Sequence, residues 1–197
     1  GEIGYFHSER GLTGHEAFTM TSAADGSRTV RALCRMDDGD LLRDVTYTVD
    51  ADWRPRHAFV QLMLAGRAAG AGWFRFGRES IAFEGVGATG EPRGALVPVS
   101  PAPAVFAPHP LVIDGWQSAA FDPAGPPRQG YHSATCSLEP NGGSAPFPAL
   151  TTKVMEFVGR ETIEVEAGRF DCDHFLIHPH RKDWTPLEMW VSGPDRI

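Results

Sequence analysis

Residues 27–50, "SRTVRALCRMDDGDLLRDVTYTVD", alternate with a period of two on both sides of a turn. Val30, Ala32, Cys34 and Met36 fall on one face of the first half, and Arg31 and Arg35 on the other. In the second half Leu41, Val45, Tyr47 and Val49 share a face, opposed by Asp44, Thr46 and Thr48. Successive side chains of an extended chain point to opposite sides, so each half reads as a half-buried strand. The "MDDGD" between them supplies an Asp-Gly turn, which makes the pair an antiparallel hairpin.

The same pattern extends both ways. "EIGYFHSE" (2–9) and "HEAFTMTSA" (15–23) flank a turn at Gly11–Gly14, and "HAFVQLMLA", "GWFRFG" and "SIAFEG" continue the series. Strand centres recur every ~10–15 residues without a long helical period, as in antiparallel sheets and barrels. Residues 87–150 break the rhythm. They hold 12 of the 16 prolines, and only "IDGWQSAAF" (113–121) has the makings of a short helix. This stretch is read as a long Pro/Gly-rich loop or lid within one β-barrel-like domain spanning 1–197. Strand character returns in "KVMEFVGRETIEVEAGRFDCDHFLI" (153–177) and "PLEMWVSGPDRI" (186–197), with "VEAG" (165–168) as a tight turn. The expected fold is mainly all-β: a curved antiparallel sheet or partly closed β-barrel, with a long Pro-rich loop carrying at most a short helix.

Composition narrows the partners. The chain has 197 residues, 42% of them apolar, and a net charge of −7 with no run of lysine or arginine. Nucleic-acid binding needs clustered cations to displace counterions, and this balance argues against it and against docking on an anionic membrane surface. The uncharged stretch 95–113 resembles a membrane span in composition, but prolines at 98, 101, 103, 108 and 110 interrupt it. Each removes a backbone donor, so no integral membrane helix is expected there. Cys34, Cys136 and Cys172 are widely spaced and form no disulfide framework. No export signal is visible. The chain begins with Gly, however, so an upstream segment is compatible with the sequence and both cytoplasm and periplasm stay open.

The C-terminal "GRETIEVEAGRFDCDHFLI" followed by "LEMWVSGPDRI" resembles a widespread bacterial family of β proteins of unknown function. Its members pair a turn of the "VEAGRF" kind with a final strand carrying a tryptophan, here Trp190. The opening "GEIGYFHSERGLTGHEAFTM" and "LLRDVTYTVDADWRPRHAF" are similar to that family as well. The resemblance implies a barrel akin to lipoprotein-localisation and lipocalin-like carriers, and it brings no catalytic motif.

Familiar catalytic motifs are missing. There is no G-x-S-x-G elbow and no P-loop lysine, and "HEAFT" (15–19) lacks the second histidine of H-E-x-x-H. Three histidines stand out in "FDCDHFLIHPH" (170–180), all at even positions with Phe170, Cys172 and Leu176. His178 and His180 would lie roughly 6.5–7 Å apart on one strand face, which suits two imidazoles on one zinc. They are the only metal candidates, and no third ligand is marked. Aligning apolar faces with the next strand pairs His178 with Leu187, Leu176 with Met189 and His174 with Val191. His174 then faces inward, where an imidazole is suited to proton transfer.

Two functions follow, neither needing a cofactor. One is a β cup that binds a hydrophobic small molecule or acyl chain, with Tyr47, Gln61, Trp73, His174, His178 and Trp116 as contacts. The other is a cofactor-independent lyase, hydratase or isomerase acting on an apolar or aromatic substrate. There His174 would move the proton, His109 or Asp114 would assist, and Arg75 would stabilise negative charge. A structural or envelope-associated role without a ligand is the third possibility. The sequence leaves the oligomeric state open.

Overall fold

The computed structural model describes residues 1–37, 39–139, 141–179 and 184–197. The first half of the chain is an eight-stranded antiparallel meander, each strand pairing with the next. Its strands are β1 (Glu2–His7), β2 (Gly11–Ser22), β3 (Arg28–Met36), β4 (Leu41–Val49), β5 (Pro55–Leu64), β6 (Arg67–Phe76), β7 (Ser80–Gly87) and β8 (Pro92–Pro98). The β3–β4 hairpin has the alternation the sequence shows. Val30, Ala32 and Cys34 are buried while Arg31, Leu33 and Arg35 are exposed, and Val45, Tyr47 and Val49 are buried on β4. Gly39 closes the turn at φ 81°, a left-handed conformation that glycine adopts without steric cost.

The second sheet has the order β13-β12-β11-β10-β9. It comprises β9 (Val105–Ala107), β10 (Arg128–Thr135), β11 (Ala149–Val165), β12 (Gly168–His178) and β13 (Leu187–Val191). All its pairings are antiparallel except β9 with β10. Between β9 and β10 the chain forms one helical turn, α1 (Leu111–Asp114), continued by a 3₁₀ segment at Gly115–Ala120. Among the described residues, no helix is long and apolar enough to cross a membrane.

The Pro-rich stretch 87–150 therefore carries more strand than its composition led us to expect. Its prolines occupy positions that need no backbone donor from the ladder. Pro92 and Pro98 terminate β8, an edge strand, and Pro110 immediately precedes α1. The two sheets meet through aromatic side chains. Tyr47 lies 5.6 Å from both Phe106 and Trp116, and Phe74 lies 5.1 Å from Phe106. A second cluster of Met155, Phe175, Ile177, Met189 and Val191 covers the inner face of the second sheet, with Phe121 and Phe157 against it.

The β12–β13 register corrects the expected one by a single residue. Ile177 pairs with Leu187, Phe175 with Met189 and Asp173 with Val191. Phe175 and Ile177 thus point inward, while His174 and Leu176 pair with Trp190 and Glu188. Packing explains the outcome. Phe175 completes a trio of rings with Phe121 and Phe157, each 5.4 Å away, whereas inward imidazoles would need buried hydrogen-bond partners.

Candidate functional site

Three strands carry a charged residue where the two-residue period calls for an apolar one. Glu16 precedes Phe18 and Met20, Arg43 precedes Val45 and Tyr47, and Lys153 precedes Met155 and Phe157. The pleat turns all three inward. Glu16 is 0% exposed and Arg43 2%, and Lys153 is partly buried. Arg43 and Lys153, together with the α1 connection, line a cavity of about 430 Å³, and Glu16 is bonded to that connection. Tyr5, Met36 and Arg43 of the first sheet line it, with His109, Leu111, Asp114 and Gln117 from the connection and Thr151, Lys153, Ile177 and Leu187 from the second sheet.

Glu16 anchors the connection. Its Oε2 accepts from the Tyr5 hydroxyl at 2.7 Å and from the Leu111 N–H at 2.8 Å. Its Oε1 accepts from the Val112 N–H at 3.0 Å, and the Cys34 thiol donates to Oε2 at 3.4 Å. A carboxylate at the start of a helical turn satisfies N–H groups that have no partner within it. Burial pushes the Cys34 thiol up to about 12, with the Glu16 charge adding to it. Burial likewise raises the Tyr5 phenol, helped by Cys34 and Glu16. Both groups are therefore neutral donors at physiological pH.

A second network crosses the cavity wall. Gln117 donates through Nε2 to Asp114 Oδ1 at 2.6 Å. Its Oε1 accepts from Lys153 Nζ at 3.0 Å and from the Tyr131 hydroxyl at 3.1 Å. Burial raises the Asp114 carboxyl to about 7, against the opposing pull of Lys153 and the Gln117 hydrogen bond. Burial also lowers the Lys153 ammonium, with Asp114 resisting. A carboxyl poised near neutrality is matched to proton transfer at physiological pH.

His109 lies on the same wall. Its Nε2 is 3.3 Å from the Ser137 carbonyl. A carbonyl only accepts, so Nε2 carries the hydrogen. Burial and the nearby Arg43 charge lower the ring to about 4, which keeps it neutral at pH 7. Its backbone sits at φ 81°, unusual for a residue with a Cβ. Beside it, Gly142 has φ 65°. A Cβ there would stand 2.7 Å from the imidazole Cδ2 and closer still to Arg43 Nη2.

Of the residues singled out from sequence that the structure describes, His109 and Asp114 line the cavity and the others do not. Tyr47 and Trp116 belong to the core between the sheets, and the Trp116 indole donates to the Asp195 carbonyl at 3.1 Å. Gln61, Trp73 and Arg75 are exposed on the outward face of the first sheet. There Trp73 stacks on His57 at 5.4 Å and Arg75 pairs with Glu84 at 2.7 Å. Their parity is opposite to that of buried Ala58, Val60 and Phe74, which is why none can reach the interior.

The register correction moves the two strand histidines as well. His174 Nδ1 lies 2.8 Å from Glu161 and Nε2 2.9 Å from Glu188, with the ring stacked on Trp190 at 4.6 Å. His178 Nε2 lies 2.9 Å from Glu156. His180 lies outside the described residues. Among the described residues, no group of three or more His, Cys, Asp or Glu is placed to hold a metal ion. Glu16, Arg43, Gln117 and Lys153 are absent from the sequence-derived set. For the three charged ones the available signal was their parity with apolar neighbours.

No family model matches this chain, and no curated protein matches it. Among solved structures, it is similar to a DUF1089 family protein from Pseudomonas aeruginosa, at 10% identity with a TM-score of 0.55, covering 92% of this chain and 85% of that one. A β-barrel-like protein of domain of unknown function DUF1849 from Brucella abortus is 11% identical, with a TM-score of 0.48, covering 95% of this chain and 79% of that one. The likeness to the Pseudomonas protein is one of fold: an antiparallel β architecture shared at a level where side chains have diverged.

Proposed function

We propose that the protein binds a hydrophobic small molecule or acyl chain in the cavity between its two sheets. The observation that carries this reading is the cavity itself. Its volume of about 430 Å³ falls in the ~300–1,000 Å³ range of small-molecule pockets. Met36, Leu111, Ile177 and Leu187 supply apolar wall, and polar groups gather around His109, Asp114 and Lys153. An apolar body with a few convergent polar groups is the usual makeup of a ligand site. The connection through α1 forms one side of the cavity and is the part we take as its cover.

Native mass spectrometry of the full chain, together with displacement of a fluorescent fatty acid, tests this. Bound lipophilic compounds are expected in wild type, and Leu187→Trp, which fills the cavity, is expected to exclude them. A lack of uptake across a lipophilic panel, or equal uptake by Leu187→Trp, removes the reading.

One observation favours a second reading, a cofactor-independent lyase, hydratase or isomerase. Asp114 is held near neutrality beside Lys153 on the cavity wall. In this reading Asp114, rather than His174, exchanges the proton, and Lys153 or Arg43 replaces Arg75 as the cation facing developing negative charge. Turnover of a bound compound that persists unchanged in Asp114→Asn rules it out.

A further inference from the structure

Among the described residues, the cavity holds a cation that forms no ion pair with a carboxylate. Arg43 is 2% exposed and lines the cavity. Its Nη2 donates to the Asn141 carbonyl at 2.6 Å. Among the described residues, no carboxylate comes within ion-pair distance of its guanidinium. Along the ladder the nearest acidic neighbour is Glu16, which pairs with Cys34, itself paired with Arg43. Both Glu16 oxygens are already occupied by donors from Tyr5, Cys34, Leu111 and Val112. Asp114 is engaged by Gln117.

A guanidinium stays ionised in a protein, and burying one uncompensated is costly. It presents five donors in a planar fork, and among the described residues the Asn141 carbonyl takes one of them. Lys153 adds a second positive charge to the cavity wall, tied to Gln117 at 3.0 Å. His109 beside Arg43 is neutral, with its hydrogen directed to Ser137. The cavity thus offers two cations, while Asp114 is engaged by the Gln117 amide and Glu16 behind the wall is saturated. Glu139, which also lines the cavity, is an exposed residue that makes no ion pair with Arg43.

We infer that the cavity receives a carboxylate head group, with Arg43 as its principal contact and Lys153 as the second. The ligand class is a fatty-acid-like amphiphile whose hydrocarbon body lies along the apolar wall. This rests on the proposed occupancy of the cavity and adds to it the charge of the occupant. A carboxylate matches the guanidinium fork in two parallel hydrogen bonds, a geometry that an alcohol or an ester does not reproduce.

Calorimetry on the full chain with dodecanoate, methyl dodecanoate, dodecanol and dodecylamine tests it. Dodecanoate is expected to bind roughly tenfold or more tightly than the ester and the alcohol, and the amine most weakly. Arg43→Met is expected to remove most of the preference for dodecanoate and to leave dodecanol within about twofold, with Arg43→Lys intermediate. Leu187→Trp, by contrast, is expected to weaken all four together. Equal binding of dodecanoate and dodecanol by wild type overturns the head-group inference while leaving the cavity reading intact. Failure of all four to bind overturns both. If Arg43→Met does not fold, the wild-type comparison still decides, since it needs no variant.

Discussion

Glu16 on β2 accepts a hydrogen bond from the Val112 N–H at 3.0 Å, across a sequence separation of 96 residues. That bond, with the one from Leu111 at 2.8 Å, ties the first sheet to the connection forming a wall of the cavity. The carboxylate is wholly buried and stands where the strand pattern calls for an apolar side chain, so its donors are what make it tolerable there.

Glu16→Ala leaves two backbone N–H groups and the Tyr5 hydroxyl without their acceptor. Each buried donor left unpaired costs ~1–3 kcal/mol, and we expect a total loss of about 3 kcal/mol or more by urea unfolding. Glu16→Gln retains one acceptor oxygen but turns an amide toward N–H groups, and should fall between wild type and Ala.

Stability depends on pH in opposite senses at the two titratable groups of the cavity wall. The folded chain holds the Asp114 proton up to about 7, whereas the unfolded chain releases it near 3.8. The stability this group contributes is therefore complete below that lower value and declines as pH rises toward about 7. His109 is lowered from 6.5 to about 4, so its contribution is complete above the upper value and is lost as pH falls toward the lower one. Urea unfolding across pH should show the advantage of wild type over Asp114→Asn shrinking with rising pH. The advantage over His109→Gln should grow with rising pH. A flat difference for either variant contradicts the corresponding assignment.

Much of the architecture was legible because a period of two is a local property. Val30, Ala32 and Cys34, or Val45, Tyr47 and Val49, define their face without reference to any other part of the chain. The β12–β13 register was not legible in that way. β12 has apolar residues on both parities, Phe175 and Ile177 on one and Cys172 and Leu176 on the other. The choice between them is made by Phe121 and Phe157, which arrive from elsewhere in the chain. The same dependence misplaced His174 and hid Gln117, whose bond with Lys153 joins the 3₁₀ segment to β11. Glu16 and Arg43 were accessible in principle, since each interrupts an apolar series at its own parity.

Gly142→Ala should destabilise the fold and disturb the polar end of the cavity together. At φ 65° a Cβ is strained on backbone grounds alone, at a cost of ~1 kcal/mol or more. The added methyl also meets the His109 ring and the Arg43 guanidinium, so one of them must move. We expect a lower Tm and weaker binding of dodecanoate, with dodecanol affected less. Unaltered dodecanoate affinity in a folded Gly142→Ala would show that Arg43 does not need its present position to bind that probe.

His174→Ala separates the outer face of the second sheet from the cavity. The ring lies between Glu161 and Glu188 and is stacked on Trp190, whose indole donates to Glu161 at 2.6 Å. It donates to both carboxylates at once only when both nitrogens carry hydrogen. Removing it strips the stacking contact and leaves two partly exposed carboxylates without the group between them. Solvent screens such pairs, so the expected loss is only about 1 kcal/mol. Because His174 faces away from the inward set of Phe175 and Ile177, uptake of dodecanoate should stay within about twofold of wild type. A drop of roughly tenfold in a variant that remains folded would mean that this outer cluster controls the cavity through β12, with Phe175 and Ile177 as its inward neighbours.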